Sequence, residues 1–378
     1  MNIAFLRKKY SFHGGSERYL HRLATHMLEH GHRVHIYASQ WADGPDMAGI
    51  QVHRVRCWTI NSFLRDLSFA YFAFLAVRRG KHDIVQTHAK TFLQDVYRGG
   101  DGCHVEWLRQ RWRRSGWATR IRTVVNPHNW LNLWMERRIL RGRRFARVMA
   151  ISEMVKNDMM RNYGVRAEDI DVVYNGVDTG LFRPDLRSTK GVEVRRRHQV
   201  AAGDRVALFV GSGFERKGVR PLLEAVRMVR GPLTVLVVGK GKPIELPGMP
   251  ADKRIVYCGA QPDVEGYYAG SDVFVFPTMY EPFGNVHLEA LASGVPVVTT
   301  RLAGGAELIE EGVNGHVVDV PEDAERIARA IEDLTDPDRL DARRAAARRT
   351  AERFSFERHI EAAMSVYERV MRERGATR

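Results

Sequence analysis

At 378 residues with a formal net charge of +14, the chain exceeds one ordinary domain, and it predicts two separate cores and an anionic partner. Cys57, Cys103 and Cys258 lie far apart with no CxxC or Cys/His spacing, which argues against a disulfide framework or a zinc site. No apolar run reaches the roughly 18 to 20 residues of a membrane span, and "MNIAFLRKKY" holds a far shorter run than a signal sequence, so a soluble cytosolic protein is expected.

The chain opens on an apolar strand, "NIAFL", then a Gly-bearing turn, "SFHGGSERY". A helix follows in which Leu20, Leu23, Ala24, Met27 and Leu28 recur at helical spacing. "RVHIYAS", "IQVHRV", "DIVQTH", "DVYRGG", "RVMAIS" and "IDVVYNGV" are the next strand candidates, with helical segments such as "FLRDLSFAYFAFLAV" among them. This alternation predicts a parallel sheet flanked by helices. Between 107 and 147, Trp107, Trp112, Trp117 and Trp134 are interleaved with eleven arginines, from Arg109 to Arg144. Tryptophan with arginine fits a membrane interface, where indole sits at headgroup depth and guanidinium pairs with lipid phosphate. The alternative is a solvated helix face around core tryptophans. No recognised nucleic-acid motif accompanies the charge.

The polar stretch "PDLRSTKGVEVRRRHQVAAGDR" reads as a linker region and places a domain boundary near 185. A second series of strands follows: "RVALFVG", "LTVLVVG", "RIVYCG", "DVFVFPT", "VPVVTT" and "GHVVDV". Their nearly unbroken apolar runs mark a sheet buried on both faces. "GVRPLLEAVRMV" and "DVEGYYAG" are helices between them, and the chain is mainly helical after 321. The expected organisation is an α/β protein of two Rossmann-like doubly wound domains, 1–185 and 186–355, with a closing helix over 356–378. Two such domains facing each other would put ligands in the cleft at the carboxyl ends of their strands.

Two stretches of the second half carry chemistry. In "LFVGSGFERKGVRPLLEA", Arg216 and Lys217 follow a strand and a Gly-bearing loop and stand before the next helix, a combination that suits a diphosphate. Solvated first-turn cations are the alternative, which a helix N-terminus disfavours. In "YEPFGNVHLEALASG", Pro282 and Gly284 make a loop and a helix begins around Asn285, with amides from Phe283 onward pointing at a ligand. Asn285 and Glu289 share one helix face, and Glu281 approaches from another side. Carboxylates bind vicinal hydroxyls, so phosphate flanked by two acids fits a nucleotide sugar. His287 reads as a helix-surface residue.

The Glu-x7-Glu spacing of "EPFGNVHLE", with "GSGFERKGV" and an N-terminal "GGSERYL", resembles the family-4 retaining glycosyltransferases of GT-B fold, over essentially the whole chain. "GSGFERKGV" and "GDGCHVEW" are most similar to the lipopolysaccharide-core glucosyltransferase branch. The resemblance implies that Glu289 binds the ribose and Glu281 the donor sugar. Arg216 and Lys217 would hold the diphosphate and neutralise the leaving group. The backbone of Phe283, Gly284, Asn285 and Val286 would complete the phosphate cradle, and Gly14 and Gly15 would let the first-domain loop approach the donor. The closing helix would cross back to the first domain. One departure stands out: many members place an arginine where this chain has Ser212, so the contact of Arg216 is open.

On the acceptor side, family members often carry a histidine after a first-domain strand. Here "YRGGDGCHVEW" offers Asp101, with His104 three residues on. Asp101 could position or deprotonate an acceptor hydroxyl, or simply make a turn with its glycines. His13 and Glu17 are candidate acceptor contacts, though Glu17 could equally oppose a helix dipole. His88 could line the cleft or be structural.

For this family a front-face route is usually proposed instead of a double displacement, and with no Asp-x-Asp motif in a suitable loop and two cations already neutralising the diphosphate, no metal or other cofactor is expected. The implied activity is retaining transfer of a hexose, glucose first, from a UDP-sugar to a lipopolysaccharide-core or related glycolipid acceptor. It would take place at the cytoplasmic face of the inner membrane, with segment 107–147 on anionic lipid and no nucleic-acid partner. Mannosyl, heptosyl or N-acetylglucosaminyl transfer to another carrier, a UDP-sugar epimerase and a basic nucleic-acid-binding module are the rivals.

Overall fold

The computed structural model describes residues 1–10, 15–41, 49–201 and 203–376. They form two compact units, one of Met1–Val173 with Ile360–Arg378, the other of Tyr174–His359. The boundary expected near 185 falls inside the second unit, in the 3-10 turn Pro184–Ser188.

The first unit is built on a seven-stranded parallel sheet. Its spatial order is Ile50–Arg54, Arg33–Ala38, Asn2–Leu6, Ile84–Thr87, Val96–Arg98, Arg147–Ala150, Ile170–Val172. Strand order reverses between Asn2–Leu6 and Ile84–Thr87, which pair in parallel from Ile3 opposite Ile84. Ile3, Ala4, Phe5 and Leu6 have no exposed surface, because helices cover both faces of this strand. Three consecutive helices, His104–Arg113, Trp117–Val125 and Pro127–Glu136, follow the fifth strand in space, where the sequence offered charge and tryptophan but no clean period. The end of helix Phe356–Ala376 packs in this unit: the Tyr367 hydroxyl donates to Gln86 Oε1 at 2.7 Å and Arg369 pairs with Asp171 at 2.7 Å.

The second unit has a six-stranded parallel sheet in the order Lys253–Gly259, Leu233–Val238, Arg205–Val210, Val273–Phe276, Val297–Thr300, Gly315–Val318. This is the doubly wound order with its reversal between Arg205–Val210 and Val273–Phe276. Every residue of Leu233–Val238 and of Val273–Phe276 is buried.

One expectation is overturned. The polar stretch after 184 is not a linker but the turn Pro184–Ser188 and the helix Lys190–Arg197, both in the second unit. Two of its arginines have a buried partner: Arg187 and Arg195 meet Asp272 at 2.7 and 2.6 Å, where Arg344 of the helix Pro337–Glu352 joins them at 2.8 Å. A buried carboxylate must be paired, and the two guanidiniums of the segment fasten it to the start of the strand Val273–Phe276.

Candidate functional site

At the reversal of the second sheet, the first and fourth strands deliver side chains to one place. After Arg205–Val210, the chain makes a single helical turn, Phe214–Lys217, and then the helix Val219–Val226. Arg216 and Lys217 therefore end their own short turn instead of leading directly into the next helix. Gly218 separates the two helices at φ +90°. A Cβ there would lie 1.9 Å from the Pro277 carbonyl oxygen, so only glycine lets this turn sit on the end of the fourth strand. The backbone N–H of Met279 donates to the Arg216 carbonyl at 3.2 Å and ties the two strand ends together.

Glu281 arrives from that fourth strand. Lys217 and Glu281 form an ion pair with a direct hydrogen bond, both largely buried, and Arg216 stands 3.7 Å from the same carboxylate oxygen. The Lys217 ammonium also lies 5.3 Å from the centroid of the Phe276 ring. Burial, with the neighbouring guanidinium of Arg216, pushes the Lys217 ammonium down to about 7. The Glu281 carboxylate against it acts in the other direction. Two cations are thus held beside one acid at a place where a second anion would relieve their mutual repulsion.

The loop between Glu281 and the next helix is strapped to a neighbouring segment. Glu281 N donates to Leu302 O at 2.9 Å, Gly304 N to Glu281 O at 2.9 Å, and Gly305 N to Phe283 O at 2.8 Å. The Phe283 side chain is buried and anchors the loop. Gly284, at φ +82°, starts the helix Asn285–Ala292, and no side chain caps its N-terminus. Uncapped amides at a helix start attract anions. Asn285 Oδ1 accepts a hydrogen bond from Asn175 Nδ2 at 2.7 Å, and Val286 is partly exposed beside it. Glu289, one turn on, accepts from the hydroxyl of buried Tyr268 at 2.9 Å, which fixes one of its oxygens. Ser212, where an arginine was looked for, accepts the backbone N–H of Lys240 at 3.1 Å and so serves the loop instead.

His287 corrects the sequence reading. It is a fully buried core residue, not a surface one, with its ring packed edge-on to Phe276. The residues around the motif were read correctly as a loop and helix, but a histidine on the apolar side of that helix gives no periodic signal.

In the first unit, a cavity of about 240 Å³ lies among residues that follow the strands Asn2–Leu6, Ile50–Arg54, Ile84–Thr87 and Val96–Arg98 in sequence. Lys8, Asp66, Lys90, Asp101, His104, Trp107, His128 and Asn132 are among its lining residues. Asp101 lies in the glycine turn and also lines this cavity. His104 is held on all sides. Its backbone N–H donates to both oxygens of Glu136 at 2.9 and 3.0 Å, its ring stacks on Trp107 at 5.5 Å, and Nε2 meets Asn129 Oδ1 at 3.2 Å. The Asn129 amide nitrogen donates to Thr123 O, so its oxygen faces the ring and Nε2 carries the hydrogen. Burial, together with Lys90, lowers the His104 pKa.

Sequence reasoning missed Lys90 and Glu136. Glu136 has no exposed surface and accepts from Lys90 Nζ at 3.3 Å and from the Tyr163 hydroxyl. This carboxylate holds the Lys90 ammonium above its ordinary value despite burial. The only cue was the position of Lys90 after the fourth strand; Glu136 is hidden among arginines. His88 does not line the cavity: its ring bonds Gln86 at 2.9 Å and packs on Phe5. His13 and Gly14 lie outside the described residues. Gly15 starts the helix Gly15–Glu29, which also holds Glu17.

The tryptophan segment is not a face around core tryptophans. Trp117 is 76% exposed, Val125 67% and Trp130 57%, with Trp112, Ile121, Val124 and Trp134 also exposed. Trp117, Ile121, Val124 and Val125 share one face of the helix Trp117–Val125. Arg120 and Arg138 stand over Trp112 and Trp134 at 5.4 and 5.9 Å. No helix of the described residues is long and apolar enough to cross a membrane.

Comparison with known proteins agrees with this architecture. Residues 204–336 match the family Glycosyl transferases group 1, and residues 13–181 match Glycosyltransferase Family 4. The chain is 25% identical over 347 residues, 88% of each chain, to the lipopolysaccharide glucosyltransferase WaaG of Escherichia coli strain K12. The crystal structure of WaaG, described as a glycosyltransferase involved in lipopolysaccharide biosynthesis, superposes with a TM-score of 0.78 at 23% identity. The match covers 97% of this chain and 99% of that one. Anabaena Alr3699/HepE, solved in complex with UDP and glucose, matches with a TM-score of 0.71 at 20% identity, over 97% and 99% of the two chains. The fold is GT-B.

Proposed function

The chain belongs to the group 1 and family 4 glycosyltransferases, and from that premise we propose that it moves a hexose, glucose first, from a UDP-sugar to a lipopolysaccharide-core or related glycolipid acceptor. The observation that carries the donor assignment is the convergence of Arg216, Lys217 and Glu281 at the reversal of the second sheet, beside the uncapped helix Asn285–Ala292. Ligands of doubly wound sheets bind at this point. Lys217 pairs with Glu281. A diphosphate takes Lys217 as its own counter-ion and releases Glu281 to the hydroxyls of the transferred sugar. Glu289, oriented by Tyr268, takes the ribose, and the amides of Phe283 to Val286 take phosphate. The first unit is assigned the acceptor, and Gly14 and Gly15 remain donor contacts only as the family resemblance implies.

Transfer retains the anomeric configuration by a front-face route. The bond from the anomeric carbon to the phosphate oxygen breaks, the acceptor oxygen bonds that carbon on the same face, and the acceptor proton passes to the departing phosphate. Arg216 and Lys217 stabilise the charge that develops there, and no metal is required. Asp101 and His104, on the cavity of the first unit, meet the acceptor, with His13 and Glu17 as further contacts. Incubation with UDP-glucose and a truncated core acceptor, with the product linkage read by NMR, tests this. An α-linked product is expected; absence of transfer from every UDP-hexose would refute it.

The exposed Trp117, Ile121, Val124, Val125 and Trp130, with arginines interleaved among them, support a seat on an anionic bilayer, which the proposal takes to be the cytoplasmic face of the inner membrane. Vesicle sedimentation is expected to show binding that needs anionic lipid, weakens with salt, and is lost in the Trp117→Ser, Trp130→Ser double variant. Equal binding to neutral vesicles would exclude this seat.

A further inference from the structure

His287 stands directly behind the loop that carries the donor-site amides, yet it is sealed from any ligand. Its Nδ1 lies 2.7 Å from the Gly284 carbonyl oxygen and its Nε2 lies 2.8 Å from Thr299 Oγ1. A carbonyl can only accept, so Nδ1 carries a hydrogen. Complete burial drives the ring to its neutral form, with a pKa lowered to about 4. Nε2 is then an acceptor and the Thr299 hydroxyl donates to it. The Phe276 carbonyl, the other acceptor near Thr299 at 3.1 Å, is served by the N–H of Thr278 at 2.9 Å, so every group in the chain of contacts is satisfied.

The surroundings leave this ring no freedom. A Cβ at Gly305 would lie 2.5 Å from Nδ1 and 2.8 Å from the Phe283 carbonyl oxygen, so the segment strapped to the loop is pressed against both. The Phe276 ring, 5.3 Å away at 86°, separates His287 from the Lys217 ammonium on its other contact. Leucine is an apolar replacement of similar size that lacks the Nδ1 donor. The donor at Nδ1 is therefore what histidine adds.

We propose that His287 is a positioning residue of the donor site: through Nδ1–H it holds the Gly284 carbonyl, and so aims the amides of Asn285 and Val286 at the diphosphate. This rests on the nucleotide-sugar reading above. Peptide planes are rigid, so fixing the Gly284 carbonyl fixes the Asn285 N–H on the same plane. The backbone N–H of His287 donates to the same carbonyl at 3.0 Å, so Nδ1–H is the second of two donors that set its direction.

Calorimetric titration with UDP separates this role from packing. His287→Leu keeps volume and loses the donor; His287→Asn keeps an N–H near the place of Nδ1. The leucine variant is expected to bind UDP about tenfold more weakly, to raise KM for the UDP-sugar with kcat changed less than about twofold, and to melt near the wild-type temperature. Asparagine is expected to recover most of the affinity. Unchanged UDP affinity in a folded leucine variant would overturn the proposal, as would equal loss in leucine and asparagine. Should leucine prevent folding, nitrogen NMR of the wild-type imidazole decides: the Nδ1–H tautomer is required, and the Nε2–H tautomer would overturn it. Failure of wild-type protein to bind UDP would instead remove the nucleotide-sugar reading itself.

Discussion

The two units share a sheet order but handle charge at its reversal differently. In the second, Arg216 and Lys217 crowd one carboxylate, Glu281, and the burial of Lys217 weakens its hold on its proton. In the first, Lys90 lies over fully buried Glu136, which keeps it charged. One site holds more cation than its acids neutralise and waits for an anion; the other is internally balanced and presents a mixture of donors and acceptors beside Trp107. That contrast is the expected one between a diphosphate pocket and a place for a neutral sugar.

The largest effect follows from removing the unbalanced charge. Lys217→Ala is expected to lower kcat/KM for the donor about a thousandfold, because both the bound diphosphate and the developing phosphate charge lose their closest counter-ion; steady-state transfer assays read this. The first unit should respond in stability instead. Glu136→Gln leaves the Lys90 ammonium buried without its partner and is expected to cost about 3 kcal/mol in denaturant unfolding. An equal loss of stability from Lys217→Ala would erase the distinction between the sites.

A smaller effect is the pH dependence of donor binding. Burial and the neighbouring Arg216 lower the Lys217 pKa to about 7, and a bound diphosphate raises it, so binding takes up a proton above pH 7. UDP affinity is therefore expected to be flat below about 7 and to fall as pH rises, by up to about tenfold per unit. Lys217→Arg, charged throughout, should flatten the profile. Smallest of all, Asp101→Asn is expected to raise KM for acceptor about tenfold while UDP affinity is unchanged. A normal KM would leave Asp101 as a turn residue.

What could be read in advance follows the same division. The proposed donor site is written in two contiguous stretches, "GFERKG" and "YEPFGNVHLEA", because it needs only two strand ends and one helix start. Strands buried on both faces, such as Leu233–Val238, announce themselves as unbroken apolar runs. The cavity of the first unit draws Lys8, Asp66, Lys90, Asp101, His104 and His128 from separate stretches, so no local pattern marks it. His287 and Asp272 were misjudged or missed for one shared reason. A buried polar residue is recognised by its partners, and Gly284, Thr299 and the three arginines come together only in the fold.

Calorimetric titration of the wild-type protein with UDP-glucose tests the central claim most directly. The account predicts one site per chain, abolished by Lys217→Ala and retained in Asp101→Asn. Absence of binding, or binding untouched by Lys217→Ala, would contradict it.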